Sequence, residues 1–318
     1  MKYWIWIIIA VLAVLILGFW ALCHKIGDNF TRNLRKRQPG EKFNEDIDIS
    51  FYLNGPLPSL SKAGLAIMET LPHEDIYINS EDGLKLHGTL FPAPEGSDRY
   101  VIGVHGFQSH AWNEFAPHIQ YYRSIGFGML LVDDRAHGLS EGAYATMGIK
   151  DRRDVVCWAR YLVTRYGEKS RILLHGVSMG AATVLNASGE SDLPQQVIGV
   201  ISDCGFTSAA ESFECQIESL YHIPGKFPVR VCQWFALHRA GFDFNEAKPV
   251  EQVKKATVPI LFVQGAKDIM VPEFMAHRLY EACNSRKKLL IVDKANHGES
   301  IAYDPEGYHQ SIQELFDI

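Results

Sequence analysis

An α/β fold, a mostly parallel central sheet with helices on both faces, is predicted by three observations. Short runs rich in Val, Ile and Leu recur along the chain, the stretches between them are long enough for a helix, and one run leads directly into a G-x-S-x-G turn. With 318 residues, 47% of them apolar and 21% charged, the chain can bury a full core.

Tyr3 to Cys23 carries no charge over 21 residues, enough at about 1.5 Å per residue to cross a hydrocarbon layer of about 30 Å. Trp4, Trp6 and Trp20 lie near its ends, where indole rings suit the membrane interfaces. The run closes with Trp20-Ala21-Leu22-Cys23, bulky where a signal peptidase or lipoprotein site needs small residues, so an uncleaved anchor is expected rather than a signal peptide. Residues 1–26 are assigned to a single-pass transmembrane anchor whose partner is membrane lipid. Lys25, Arg32, Arg35, Lys36 and Arg37 follow it, and the positive-inside bias favours a cytoplasmic body, with an exported body as the alternative.

Residues 27–73 read as a basic juxtamembrane connector, broken by Gly55, Pro56 and Pro58, with one short helix near Lys62 to Glu69. The catalytic domain is assigned to residues 74–318. It opens with a hairpin, since Glu74–Asn79 and Leu84–Gly88 alternate around the turn residues Ser80-Glu81-Asp82-Gly83. Strands are then expected at Val101–Val104, Gly128–Val132, Arg171–Leu174, Val197–Ser202, Pro259–Val263 and Lys288–Val292. The interval after Ser202 exceeds fifty residues and is rich in Phe, Tyr and Trp. A helical cap over about 205–250 is expected there, above the carboxyl edge of the sheet where ligands of open α/β sheets bind.

The chemistry centres on Gly176-Val177-Ser178-Met179-Gly180, flanked by a buried strand pattern and a small-residue helix start. A serine hydroxyl becomes nucleophilic only when a base takes its proton and an acid orients the base. Asp268 and His297 each follow one of the next strands, so both fall at the edge where Ser178 sits; Asp203 is the second candidate acid, with a role in organising the cap. Acyl transfer also needs two preset N–H donors for the oxyanion, assigned to the backbone of Phe107 and Met179. His105 reads as a loop-fixing residue. No HExxH or CxxC spacing points to a metal, and no cofactor is expected.

Taken together, Asp82-Gly83-Leu84, His105-Gly106-Phe107 with Trp112, Asp133-Asp134-Arg135-Ala136-His137-Gly138, the serine turn, the Asp268 loop and Asn296-His297-Gly298 resemble the α/β-hydrolase superfamily. The likeness is to its membrane-anchored bacterial esterases and serine-aminopeptidase-like hydrolases, and it covers Glu74 to the carboxyl terminus. Ala136 departs from the pattern, in which many relatives carry Gly. The resemblance implies a serine hydrolase that cleaves a small-molecule acyl ester through an acyl-enzyme. Peptidase or amidase, thioesterase and lipase are its alternatives, and a catalytically silent, membrane-tethered binding module is an alternative of another class.

Charge excludes one class of partner. Six Lys/Arg and one acid lie in residues 1–37, leaving 25 bases and 36 acids for the body, which would repel nucleic-acid phosphate. Of the six cysteines, Cys23 ends the apolar run; the remaining odd five favour a reducing compartment.

Overall fold

The computed structural model describes residues 2–36 and 55–318. Its elements are, in chain order, α1 (Lys2–Leu34), α2 (Leu57–Met68), β1 (Glu74–Asn79), β2 (Lys85–Phe91), β3 (Arg99–Val104), α3 (Ala111–Ser124), β4 (Phe127–Val132), α4 (Asp151–Tyr166), β5 (Arg171–Val177) and α5 (Met179–Ser188). There follow β6 (Val197–Asp203), α6 (Ala209–Tyr221), α7 (Lys226–Phe235) with a π-helical turn (Ala236–Ala240), α8 (Pro249–Gln252), β7 (Ile260–Gly265), α9 (Phe274–Ala282), β8 (Lys287–Val292), α10 (Ser300–Tyr303) and α11 (Pro305–Phe316).

Among the described residues the strands form one sheet in the order β1-β2-β4-β3-β5-β6-β7-β8. The β1–β2 and β2–β4 pairs are antiparallel and every later pair is parallel. Strand β4 and strand β7 are buried at every residue, because helices cover both faces; the polar side chain among them, Gln264, is hydrogen-bonded to Asp268. On one face α2, α3 and α11 pack Met68, Phe115, Ile119, Tyr308 and Ile312. On the other, α4, α5 and α9 pack Trp158, Leu162, Val184 and Leu279. The β1–β2 turn is fixed by the Ser80 hydroxyl, which donates to Asp82 and accepts from the Leu84 N–H, with Gly83 at φ +87°.

Two elements differ from the sequence expectation. The amino-terminal helix does not stop at residue 26, the expected end of the anchor, but runs to Leu34, eight residues into the assigned connector. Ile26, Phe30 and Leu34 recur at i, i+4 and i+8, and Phe30 and Leu34 are buried. Phe30 meets Phe213 edge-on at 5.4 Å and Phe244 at 5.9 Å, so α1 joins the aromatic cluster of the cap region. A stripe of three residues in a charged segment is a weak signal until its partner is known. The connector helix begins earlier than expected, at Leu57 rather than near Lys62, because Pro58 is favourable in a first turn. The connector's residues 37–54 lie outside the described residues. After α1 the chain pairs with the 143–145 segment through Lys36 N–H to Ala143 O and Ala145 N–H to Leu34 O, both buttressing the body.

Candidate active site

Strand β5 ends at Val177 and α5 begins at Met179, leaving Ser178 as the single residue that turns the chain, at φ +55° and ψ −114°. That backbone is strained for a non-glycine residue and costs about 1–3 kcal/mol. The turn is held by the Ser178 N–H, which donates to Asp203 O at 2.9 Å. It closes only because its flanks are glycines. A Cβ on Gly176 would lie 2.1 Å from Gly180 O, and one on Gly180 would lie 1.9 Å from Val104 O.

His297 follows β8 and Asp268 follows β7, which brings both to the carboxyl edge beside Ser178. The His297 Nε2 is 2.8 Å from Ser178 Oγ, and its Nδ1 is 2.7 Å from Asp268 Oδ2. Four donors converge on the Asp268 carboxylate: Met270 and Val271 N–H on Oδ1, each at 2.8 Å, and Gln264 Nε2 and His297 on Oδ2. Such an acid accepts at every lone pair and fixes the imidazole with its Nδ1 protonated and its Nε2 lone pair facing the serine. His297 is further set by its own backbone N–H, which donates to Asn296 Oδ1 at 2.9 Å.

Asp203, the second candidate acid, is not part of this chain of bonds. Its Oδ2 accepts from Tyr308 of α11 at 3.1 Å and its backbone oxygen serves Ser178, so it braces the serine turn rather than the cap. Burial pushes its carboxyl up to about 7.

Phe107 lies in the loop after β3, and Met179 is the first residue of α5, whose leading N–H groups have no intrahelical partner. Neither N–H is taken up by a hydrogen bond among the described residues. Two histidines hold the Phe107 loop. His105 Nε2 accepts the Asp134 N–H at 3.2 Å, so its Nδ1–H donates to Gly106 O at 2.7 Å. His137 Nε2 accepts the Gln108 N–H at 3.1 Å. Burial lowers both imidazoles, which keeps them neutral and able to accept. Ala136, the departure from the family pattern, takes φ +62°, so the loop keeps a left-handed shape with a side chain where glycine would sit without strain.

Sequence reading missed Glu114. From the first turn of α3 its carboxylate accepts the Gly106 N–H, one residue before Phe107, and burial pushes it up to about 7. Its signal was only an acid in the first turn of a helix following the His-Gly-Phe loop. Cys204 also lies close, with Sγ 3.9 Å from His297 Nε2. Cys204, Asp268 and His297 could bring three ligand atoms within 4.8 Å. Their bonding suits a proton relay better than a cation: Asp268 is fully engaged, and burial pushes the Cys204 thiol up to about 12, away from the thiolate a metal needs. All six cysteines are thiols.

A cavity of about 1190 Å³ opens above Ser178 and His297. Its walls come from α1, α2, the Phe107 loop and α6, and include Phe30, Leu34, Phe107, Phe206, Phe213 and Ile217. The contribution of α1 has no sequence signal, because Ile26, Phe30 and Leu34 face the site only once the cap region packs against them.

Comparisons with known proteins agree with this architecture. The model of the prolyl oligopeptidase family matches residues 113–315. An uncharacterized protein of Bacillus subtilis, YqkD, is 26% identical over 225 residues, 71% of this chain and 73% of that protein. An uncharacterized membrane protein of Saccharomyces cerevisiae is 30% identical over 198 residues, 61% of this chain and 62% of that protein. The structure of the Pyrococcus furiosus esterase Pf2001 superposes with a TM-score of 0.62 at 24% identity, over 78% of this chain and 93% of that one, a likeness of fold.

Proposed function

The chain belongs to the prolyl oligopeptidase family of α/β-hydrolases, and from that premise we propose that it is a membrane-tethered serine hydrolase acting on carboxylic esters. The observation that carries this reading is the 2.8 Å contact between Ser178 Oγ and a His297 whose other nitrogen is bonded to Asp268.

Ser178 Oγ attacks the acyl carbonyl while His297 Nε2 takes its proton. The negative charge that develops on the carbonyl oxygen meets the N–H groups of Phe107 and Met179, which need no reorganisation because the helix start and the histidine-braced loop already hold them. His297 then gives its proton to the departing alcohol, leaving the acyl group on Ser178. Water, deprotonated by the same nitrogen, attacks the acyl-enzyme; the acid departs and Ser178 recovers its proton. Asp268 keeps His297 in the tautomer that can accept and stabilises the imidazolium formed in each half-reaction.

The family match favours peptidase as a second reading. The cavity lining favours the ester. A peptide's terminal ammonium needs an ionised acid, whereas the lining acids Glu114 and Asp203 are pushed by burial toward their neutral forms. The tether is α1. Tyr3 to Leu22 is exposed throughout, as a lipid-facing helix would be, and the yeast relative is named a membrane protein. The basic residues after the span favour a cytoplasmic body.

Labelling with a fluorophosphonate tests the enzyme reading. Ser178 is expected to be modified, and Ser178→Ala to abolish labelling without unfolding. A folded wild-type protein that stays unlabelled would leave only a binding module. Rates on p-nitrophenyl esters against aminoacyl anilides separate esterase from peptidase, and protease accessibility in intact cells reads the side of the membrane.

A further inference from the structure

Resting on the hydrolase and tether readings above, we propose that the substrate is the long-chain acyl ester of a neutral lipid, an acylglycerol. It passes sideways from the leaflet on the body's side into the cavity above Ser178.

The cavity begins where the membrane ends. Ile26, Phe30 and Leu34 line it from one face of α1, and Ile26 is only three residues beyond Cys23, the last residue of the apolar run. From Cys23 to Leu34 the helix rises about 17 Å, so this wall leads from the bilayer surface toward the site without a polar interruption on its Ile26–Phe30–Leu34 stripe. The facing wall is α6, with Phe213, Ile217, Leu220 and Tyr221.

An aromatic contact fixes the height of the cap against the bilayer. The ring of Phe227, at the start of α7, lies 5.4 Å from that of Phe19, which is inside the apolar run. The α6–α7 corner is therefore seated at the membrane surface. Around it Tyr221 is 64% exposed, Ile223 49% and Trp234 53%, an apolar face that water would disfavour and an interface accepts. Tyr221 and Ile223 belong both to this face and to the cavity lining, so the mouth of the cavity opens onto the bilayer. Exposed Lys226 and Arg230 on the same helix suit the surrounding lipid phosphates.

Volume and charge then name the occupant. At about 1190 Å³ the cavity exceeds the usual range of about 300–1,000 Å³ for drug-sized ligands, as an acyl chain requires. Among the described lining residues there is no Lys or Arg to meet a phosphate, while Asn29, Asn33 and Gln216 offer neutral hydrogen-bonding groups that suit glycerol hydroxyls. The reaction adds one water across the ester, releasing the alcohol headgroup and a fatty acid.

The test uses the full chain reconstituted in phosphatidylcholine vesicles containing a long-chain monoacylglycerol, with soluble p-nitrophenyl esters of increasing chain length, beginning with the acetate, as reporters of the triad and the cavity. Among the soluble esters, where each added methylene leaves water, specificity is expected to rise about three- to fourfold per methylene until the cavity is filled. Phe227→Asp, outside the cavity lining, is expected to cut vesicle hydrolysis about tenfold or more while changing nitrophenyl acetate turnover less than about twofold. A flat or falling chain-length series, vesicle hydrolysis indifferent to Phe227→Asp, or preferential cleavage of the phosphatidylcholine would overturn the proposal while the soluble ester is still hydrolysed. Failure to cleave either ester, or to float with the vesicles, would instead remove the hydrolase or tether reading beneath it.

Discussion

Replacing Asp268 by Asn tests the site at its most determined atom pair. An amide has one oxygen where the carboxylate has two, and the structure decides where that oxygen must stay. Oδ1 accepts two backbone N–H groups at 2.8 Å, from Met270 and Val271. Turning the NH₂ toward them would leave two buried donors facing donors, at about 1–3 kcal/mol each, against one at Oδ2, the Gln264 amide, which keeps Val271 O as an acceptor. The amide oxygen therefore remains at Oδ1, and the NH₂ faces His297 Nδ1 across the 2.7 Å contact. His297 must then accept at Nδ1 and carry its proton on Nε2, toward Ser178, where it can no longer act as a base. Holding the wrong tautomer costs about four decades in kcat, or about 5.4 kcal/mol at 1.36 kcal/mol per decade. KM should hardly move, because the substitution acts on the proton rather than on the substrate. Asp203→Asn is the control: its side chain meets Tyr308 and not His297, so kcat should stay within about fivefold of wild type. Both variants are assayed on p-nitrophenyl acetate, with the fluorophosphonate labelling rate and thermal unfolding as companions. If Asp268→Asn kept more than about a tenth of wild-type kcat while Asp203→Asn lost it, the assigned acid would be wrong.

The same Asp203→Asn variant probes stability against pH. The folded carboxyl titrates at about 7 and the unfolded one at about 4, so between these values the folded state binds more protons and stability falls as pH rises. Urea unfolding from pH 4 to 8 should show a shallower fall in the variant; an unchanged slope would mean that Asp203 is not buried as described. Gly180→Ala should cost more than about 4 kcal/mol, since its Cβ would overlap backbone at Val104 O, and recovery of soluble, folded protein at wild-type stability would contradict the serine-turn geometry. Ala136→Gly should raise stability by about 1 kcal/mol, the relief of a left-handed alanine less the entropy of a freer unfolded chain, read from the urea midpoint. Phe30→Ala should loosen α1 from Phe213 and Phe244 at a cost of about 3–4 kcal/mol and speed tryptic cleavage at Arg32, which equal digestion rates would refute.

What the sequence made legible follows from the range of the forces involved. Six strands were readable as short apolar runs and the β1–β2 hairpin as alternation around its turn, both local properties, and their order along the chain carried Ser178, Asp268 and His297 to one edge. Glu114 was not readable, because its role depends on α3 folding back so that a first-turn carboxylate reaches the Gly106 N–H. Ala136 was readable as a departure but not as a consequence; only its φ of +62° shows that the loop keeps the shape of a glycine and stores the strain. The helix end at Leu34 was missed for a related reason. Ile26, Phe30 and Leu34 are unremarkable beside Lys25, Asp28 and Arg32 until the aromatic cluster that buries them is in place.

The continuity of α1 past the apolar run couples that run to the site. A flexible linker would let the body tumble above the bilayer, and the orientation of its cavity would be averaged away. Here the apolar run and the wall of the cavity are one helix, which has no break between Lys2 and Leu34 and whose last turns are clamped by Phe213, Phe244 and the Arg239–Asp28 ion pair. As the proposed tether, α1 would therefore set direction as well as proximity. On the proposed reading, a substrate held in the leaflet would meet Ser178 from a fixed side, and the entropy of aligning enzyme with lipid would be spent when the chain folds rather than at each encounter.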